Sequence, residues 1–246
     1  MSAATTVAAM DPQAQPHLQQ QQPPPQPQPP QDPPEFILDV FADPRSVRDV
    51  VKGILHTIFF TRFFPSLAPR TREVLDLTLP YVDDDELETM IDQRAAALER
   101  QLDAQRNSNT HSHNHNHNHN HNHSSGSTSG SAGTTGGGGG RGQVTVQFFE
   151  KKRRKAWLSR GDEEVCWECW TVKVTVAEPR TESERAKVRR AMEQTLFTTA
   201  MKIVTFANSH KDHIPPITSQ GGNPFPFKIT VDQQKETGWA ARMRIY

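Results

Sequence analysis

Few residues of this chain could do covalent or metal chemistry, and their spacing argues against a reaction centre. Cys166-Trp167-Glu168-Cys169 has the C-x-x-C form. A redox pair or a zinc site needs both sulfurs to converge, and a closed zinc site needs two further ligands. The sequence holds only 2 cysteines, and the pair runs into the β-branched stretch Thr171 to Val176, which reads as a strand. Residues i and i+3 of a regular strand point to opposite faces, so two ordinary half-buried cysteines are expected. Histidine alternates with asparagine from His111 to His123. Such a tract offers imidazoles but fixes no ligand geometry. His210 and His213 follow a helical pattern and read as favourable C-terminal cations or solvated loop residues. Asp83, Asp84, Asp85 and Glu86 resemble paired carboxylates, but just before Leu87 they read as a helix start, where the dipole favours negative charge. The glycines Gly136 to Gly140 lack the Lys-Ser/Thr that completes a phosphate loop. The expectation is a protein that is not an enzyme, with no catalytic residue, no cofactor and no metal site.

Surface chemistry is concentrated instead between Glu150 and Val165. Lys151, Lys152, Arg153, Arg154 and Lys155 form a basic run, Trp157 and Leu158 follow, and Ser159 to Glu164 is strongly polar. Two large apolar residues isolated between charges cannot easily reach a core. Trp157 is therefore a candidate anchor for a partner protein, since buried tryptophans dominate interface energetics. The alternative is that Trp157 folds back onto the strand surface. The basic run reads either as a solvated loop or as a nuclear or phosphate-binding patch.

The elements that must carry these residues are legible in the hydrophobic pattern. Phe36, Leu38 and Val40 alternate with Ile37, Asp39 and Phe41 as in a strand. Asp43 and Pro44 suit an N-cap and first helical position. Val47, Val50, Val51, Ile54, Leu55, Ile58 and Phe59 then give one broad apolar helix face. Glu73 to Leu79 reads as one short strand. Leu87, Ile91, Ala95, Leu98 and Leu102 mark a second helix. Val144 to Phe149 and Trp167 to Val176 read as a long hairpin with the charged connector at its tip. Thr181 and Glu184 fit a capping box, and Val188, Met192, Leu196, Ala200, Ile203, Val204 and Ala207 form the inward stripe of a third helix. Phe225 to Val231 and parts of Trp239 to Tyr246 alternate again. The pattern predicts one mixed α/β or α+β domain, with three helices packed on a sheet.

The totals set the remaining bounds. Only 34% of the 246 residues are hydrophobic, and 19 prolines and 14 glycines are clustered. Residues 1–34 are therefore expected to be a disordered Gln/Pro-rich tail, 35–246 one domain, and 107–142 a disordered His-Asn/Ser/Gly insertion. Lys plus Arg and Asp plus Glu number 28 each, for a formal charge of zero. That balance speaks against a general nucleic-acid binder. The N-terminus lacks the pattern of a secretory signal, and no apolar stretch approaches the roughly 20 residues of a membrane span. A soluble protein of a reducing, intracellular compartment is expected, with no integral membrane span and no nucleic-acid partner.

The stretch "VQFFEKKRRKAWLSRGDEEVCWECWTVKVTV" resembles the autophagy-related protein 101 family. "VVKGILHTIFFTR", with Leu55-His56-Thr57, is similar to that family's first helix, and the third helix with the following "NSHKDHIPPI" is similar too. The resemblance spans about Glu35 to Tyr246 outside the His-Asn insertion. It implies a HORMA-like domain, with a mainly antiparallel mixed sheet backed by three helices. It also implies a cytoplasmic adaptor subunit of the kinase complex that starts autophagy, acting at the phagophore assembly site. The subunit would pair with the HORMA domain of autophagy-related protein 13 and protect it from degradation. Recruitment of downstream autophagy factors would use an exposed Trp-Phe finger. Trp157 matches the finger's Trp; the Phe has no match, since Leu158 or Ser159 stands near its place, and Leu158 could supply an apolar contact there. HORMA dimers use the third helix, which makes its outer flank, Arg185, Arg189, Glu193 and Phe197, the candidate partner surface. The chain ends soon after Arg242 to Tyr246, so the family's terminal helix is expected to be missing. A reading from another class is a HORMA-like chromatin or checkpoint protein that captures a peptide, with Lys151 to Lys155 as a nuclear signal or DNA contact.

Overall fold

The computed structural model describes residues 32–64, 68–112, 140–153, 162–217 and 222–232. Strand β1 (Glu35–Ala42) buries Phe36, Leu38, Val40 and Ala42 and turns Glu35, Ile37 and Asp39 outward, as its alternation predicts. Asp43 then turns the chain. Its Oδ1 accepts the N–H groups of Arg45 at 3.0 Å and Ser46 at 2.8 Å, and its carbonyl accepts that of Val47 at 3.2 Å. Helix α1 (Val47–Arg62) follows. Asp43 thus caps one turn ahead of the regular helix, and Pro44 lies in that turn instead of at the first helical position. All seven residues of the predicted apolar face are buried, and so are His56, Thr57 and Arg62. The extra burial arises because α1 packs between the other two helices and against a small hairpin, while its Phe59 meets Phe148 and Phe227 of the sheet edge-on.

That hairpin corrects the single strand expected over Glu73 to Leu79. The chain forms β2 (Arg70–Val74) and β3 (Leu77–Tyr81), paired antiparallel with Val74 opposite Leu77. Leu75 takes a φ of 51° in the two-residue turn. Tight hairpin turns are usually marked by Gly, Asn or Asp at such positions. Leu75 gives no such signal.

Helix α2 (Asp85–Ser112) starts where the acidic run predicts. Asp84 is its cap: Oδ1 accepts the N–H of Leu87 at 2.8 Å. Leu87, Ile91, Ala95, Leu98 and Leu102 are all buried. The helix continues past residue 107 into the segment predicted as disordered. At the other end of that segment, Arg141 and Gly142 already belong to β4 (Arg141–Arg153). Gly142 is not linker. A Cβ there would lie 2.6 Å from Leu98 Cδ1, so the missing side chain is what lets α2 rest on the strand.

Strand β5 (Asp162–Val176) pairs antiparallel with β4, helix α3 spans Glu182–Ser209, and β6 (Phe227–Asp232) pairs antiparallel with β4. The sheet order is β1-β5-β4-β6, with β1 parallel to β5. A mixed, mainly antiparallel sheet carries three helices, which makes the fold α+β, one of the two classes the pattern leaves open and the one the family resemblance implies. The tail of residues 1–31, most of the His-Asn insertion and the alternation over Trp239 to Tyr246 lie outside the described residues.

Candidate interaction surface

The predicted long hairpin is present, and its ladder runs further than expected. Lys151 pairs with Glu164, Lys152 with Glu163 and Arg153 with Asp162. Opposite charges directly across a ladder are favourable pairs. Much of the expected connector is therefore strand, and Lys151 and Lys152 of its basic run stand opposite Glu164 and Glu163 in the ladder. Trp157 and Leu158 lie outside the described residues.

Helix α3 starts with the predicted capping box: Thr181 Oγ1 accepts the N–H of Glu184 at 3.2 Å, and Glu184 Oε2 accepts that of Thr181 at 3.2 Å. Backbone donors at Arg180 and Thr181 hold the Glu184 carboxyl below its usual range. Met192, Leu196, Thr199, Ile203 and Ala207 face inward. Thr199 Oγ1 donates to the Asp39 carbonyl at 3.1 Å, fixing the helix against β1. Val188 is only half-buried, and Val204, expected in this stripe, is 40% exposed. The buried face is narrow, and a residue one step beyond Ile203 is rotated about 100° away from it.

Val204 instead continues the opposite flank. Arg185, Arg189, Glu193 and Phe197 recur every fourth residue, and Met201 and Val204 extend the row. Phe197 is 55% and Met201 50% exposed. Arg189 pairs with Glu193 and, at 2.9 Å, with Asp76 of the β2–β3 turn. The result is a charged upper half and an apolar lower half on one helix flank.

Behind the sheet end lies a buried polar cluster that sequence reading missed. Glu168, fully buried on β5, accepts Arg62 Nε at 2.9 Å on each oxygen. It also accepts Trp170 Nε1. His213 Nε2 lies 2.8 Å from Glu168 Oε2. Arg62 Nη2 donates to the His210 carbonyl at 3.2 Å and Nη1 to that of Ala207 at 3.4 Å. His213 is thus a partner of a buried carboxylate, not a solvated loop residue. The available signal was parity: Glu168 is two residues from Trp170 and so shares the inward face of its strand.

The cysteines also need correction. The β4–β5 register shifts at Phe148/Phe149, so that Glu168 opposes Phe148 while Cys166 opposes Phe149 and Cys169 opposes Gln147. Trp167 is the extra residue of a bulge, and a bulge resets parity. Both cysteines therefore fall on the same sheet face, away from Phe148, instead of on opposite ones. They form no disulfide. Burial pushes the Cys166 thiol pKa up, away from thiolate chemistry. Trp167 packs inward against Phe225 and Phe148, with ring centroids at 5.1 and 5.7 Å.

Among the described residues, no group of three or more His, Cys, Asp or Glu side chains is placed to hold a metal ion. No helix among the described residues is long and apolar enough to cross a membrane. Fold and surface together define a mixed-sheet α+β protein whose third helix keeps one charged and apolar flank in solvent. Residues 39–221 match the family model described as Autophagy-related protein 101. The chain is similar to the proteins of that name from Arabidopsis thaliana (22% identical over 219 residues, 80% of this chain and 86% of the relative) and Schizosaccharomyces pombe (23% over 198 residues, 80% and 85%). A shorter stretch of 78 residues is 35% identical to the Homo sapiens protein, covering 32% of this chain and 34% of the relative. The chain belongs to the autophagy-related protein 101 family, and its role lies in autophagy.

Proposed function

We propose that this chain is a non-enzymatic adaptor subunit of the kinase complex that starts autophagy. Its HORMA-like domain pairs with the HORMA domain of autophagy-related protein 13 and stabilises it. The hairpin tip carrying Trp157 and Leu158 recruits downstream factors. The working location is the cytoplasm, at the phagophore assembly site.

The observation that carries this reading is the outer flank of α3. Phe197, Met201 and Val204 are exposed in one row, with Arg185, Arg189 and Glu193 above them. Isolated exposed apolar residues are ordinary on a surface, but a contiguous row on a rigid helix suits a partner. An apolar centre with a charged rim is the usual anatomy of an interface. The chromatin reading draws less support, because Lys151 and Lys152 stand opposite acidic residues in the ladder.

A partner that binds only the folded state raises its melting temperature by mass action. The test is the melting temperature of this chain with and without saturating partner HORMA domain. A rise of several degrees is expected, and no change at saturation overturns the pairing. Trp157→Ala with Leu158→Ala should leave that rise intact and abolish recruitment of later factors. Loss of the heterodimer in this variant would make Trp157 part of the pairing surface.

A further inference from the structure

The start of α1, the end of α2 and the start of α3 enclose an open cleft of about 500 Å³ lined by Arg45, Arg106, Arg180 and Arg185. Among the described residues two carboxylates, Asp43 and Glu178, share the lining, and both are engaged. Asp43 accepts the N–H groups of Arg45 and Ser46. Glu178 pairs with Arg106, whose Nη1 also holds Asp103 at 2.7 Å. Arg185 pairs with Glu182 at 2.9 Å. Among the described residues no acceptor binds the guanidinium of Arg45 or Arg180. Two forks of donors are thus left over in a concave site, on turns that lead into the N-terminal ends of α1 and α3. Helix N-termini add positive potential there.

We infer that this cleft binds a phosphorylated serine or threonine segment of a partner protein, with Arg45 and Arg180 as the phosphate ligands. Planar guanidinium forks match phosphate oxygens in pairs. Among the described residues the lining has no aromatic ring on which a nucleotide base could stack. Pro44 and Pro179 offer apolar walls to an extended peptide. Glu182 and Glu184 are exposed beside the cleft. An anionic bilayer would meet that acidic rim across its whole area, whereas a single phosphoryl group on a peptide passes between its members. The cleft shares Arg185 with the charged end of the pairing flank on α3, but the apolar row of that flank begins several turns further along the helix, and neither Arg45 nor Arg180 belongs to it.

The experiment immobilises the full chain and presents a pool of short degenerate peptides with a fixed phosphoserine, beside the same pool unphosphorylated. Preferential retention of the phosphorylated pool is expected, with release by inorganic phosphate. Arg45→Ala with Arg180→Ala should weaken retention roughly tenfold per lost guanidinium. Both residues are exposed, so the melting temperature should not move. If it does, Arg45→Lys with Arg180→Lys, which keeps the charge without the fork, should retain intermediate binding at wild-type stability. Equal retention of both pools, or undiminished retention by the alanine variant, overturns the inference. So does binding of phosphoinositide vesicles without retention of the phosphopeptides.

Discussion

Arg62 and Glu168 are 106 positions apart and meet at 2.9 Å with side chains 3% and 0% exposed. The pair joins the last turn of α1 to the middle of β5. Through the His210 and Ala207 carbonyls it also holds the end of α3. Removing one member of such a pair leaves a buried charge uncompensated, which costs about 3–5 kcal/mol. Glu168→Gln and Arg62→Met should each lower stability by that amount in urea unfolding. The double variant should lose clearly less than the two losses added together, because the stranded charge is then gone. Additive losses would mean the two groups do not act as a pair.

His56 gives a pH dependence. It is buried against the Tyr81 ring, with centroids 4.5 Å apart. Neither ring nitrogen has a hydrogen-bond partner among the described residues. Burial first, then the nearby Arg72 cation, lowers its pKa to about 4 from 6.5. The folded state therefore disfavours the protonated form. The corresponding stability is fully present above pH 6.5 and is lost as pH falls toward 4, by about 3 kcal/mol in all. Asp92 is held down to about 2 by hydrogen bonds from Arg48 and Lys52, so its own loss falls at lower pH. Urea midpoints at neutral pH and just above pH 4 should differ markedly for the native chain and much less for His56→Leu. An unchanged difference in the variant would place the acid sensitivity elsewhere.

Gly142 and Leu98 form a matched pair of sizes. A Cβ on Gly142 would meet Leu98 Cδ1 at 2.6 Å and Leu102 Cδ2 at 3.2 Å. Gly142→Ala should destabilise by about 1–3 kcal/mol through overpacking. Leu98→Ala alone should cost about 2–5 kcal/mol through the cavity it opens. Combined, the two should cost less than their sum, since the new methyl fills part of that space. Urea unfolding of the four proteins checks this, and strict additivity would show that α2 and β4 do not share the contact.

The elements with long periodic stripes were readable from residues alone. The α1 face, the α2 leucines, the capping box at Thr181 and the alternation of Trp170 to Val176 each report burial directly, because one face of each element meets the core. Features that depend on how elements meet were hidden. The Leu75 turn carries no glycine, the Trp167 bulge flips cysteine parity without a local mark, and Gly142 looks like linker until Leu98 is placed above it. The outer flank of α3 was half legible. Arg185, Arg189, Glu193 and Phe197 follow from helical spacing, but Val204 was misplaced because an apolar residue beside Ile203 reads as core. The arginine cleft was invisible, since Arg45, Arg106 and Arg180 come from three separated segments.

The exposed row on α3 allows a sharp separation of folding from pairing. Phe197 and Met201 contribute little to the core, being half in solvent. Replacing them with aspartate removes no fully buried side chain, and α3 keeps Met192, Leu196 and Ile203 inside. Phe197→Asp with Met201→Asp should therefore leave the melting temperature of the isolated chain within about a degree or two, as exposed substitutions do. In the proposed heterodimer the same change would bury two charges in an apolar centre. Truncation of central apolar anchors typically costs at least about 2 kcal/mol, and buried unpaired charge adds to it. The stabilisation conferred by the partner HORMA domain should then disappear at concentrations that saturate the native chain. Full retention of that stabilisation would move the partner surface off this flank. A fall in the variant's own melting temperature would show that the row packs against the domain.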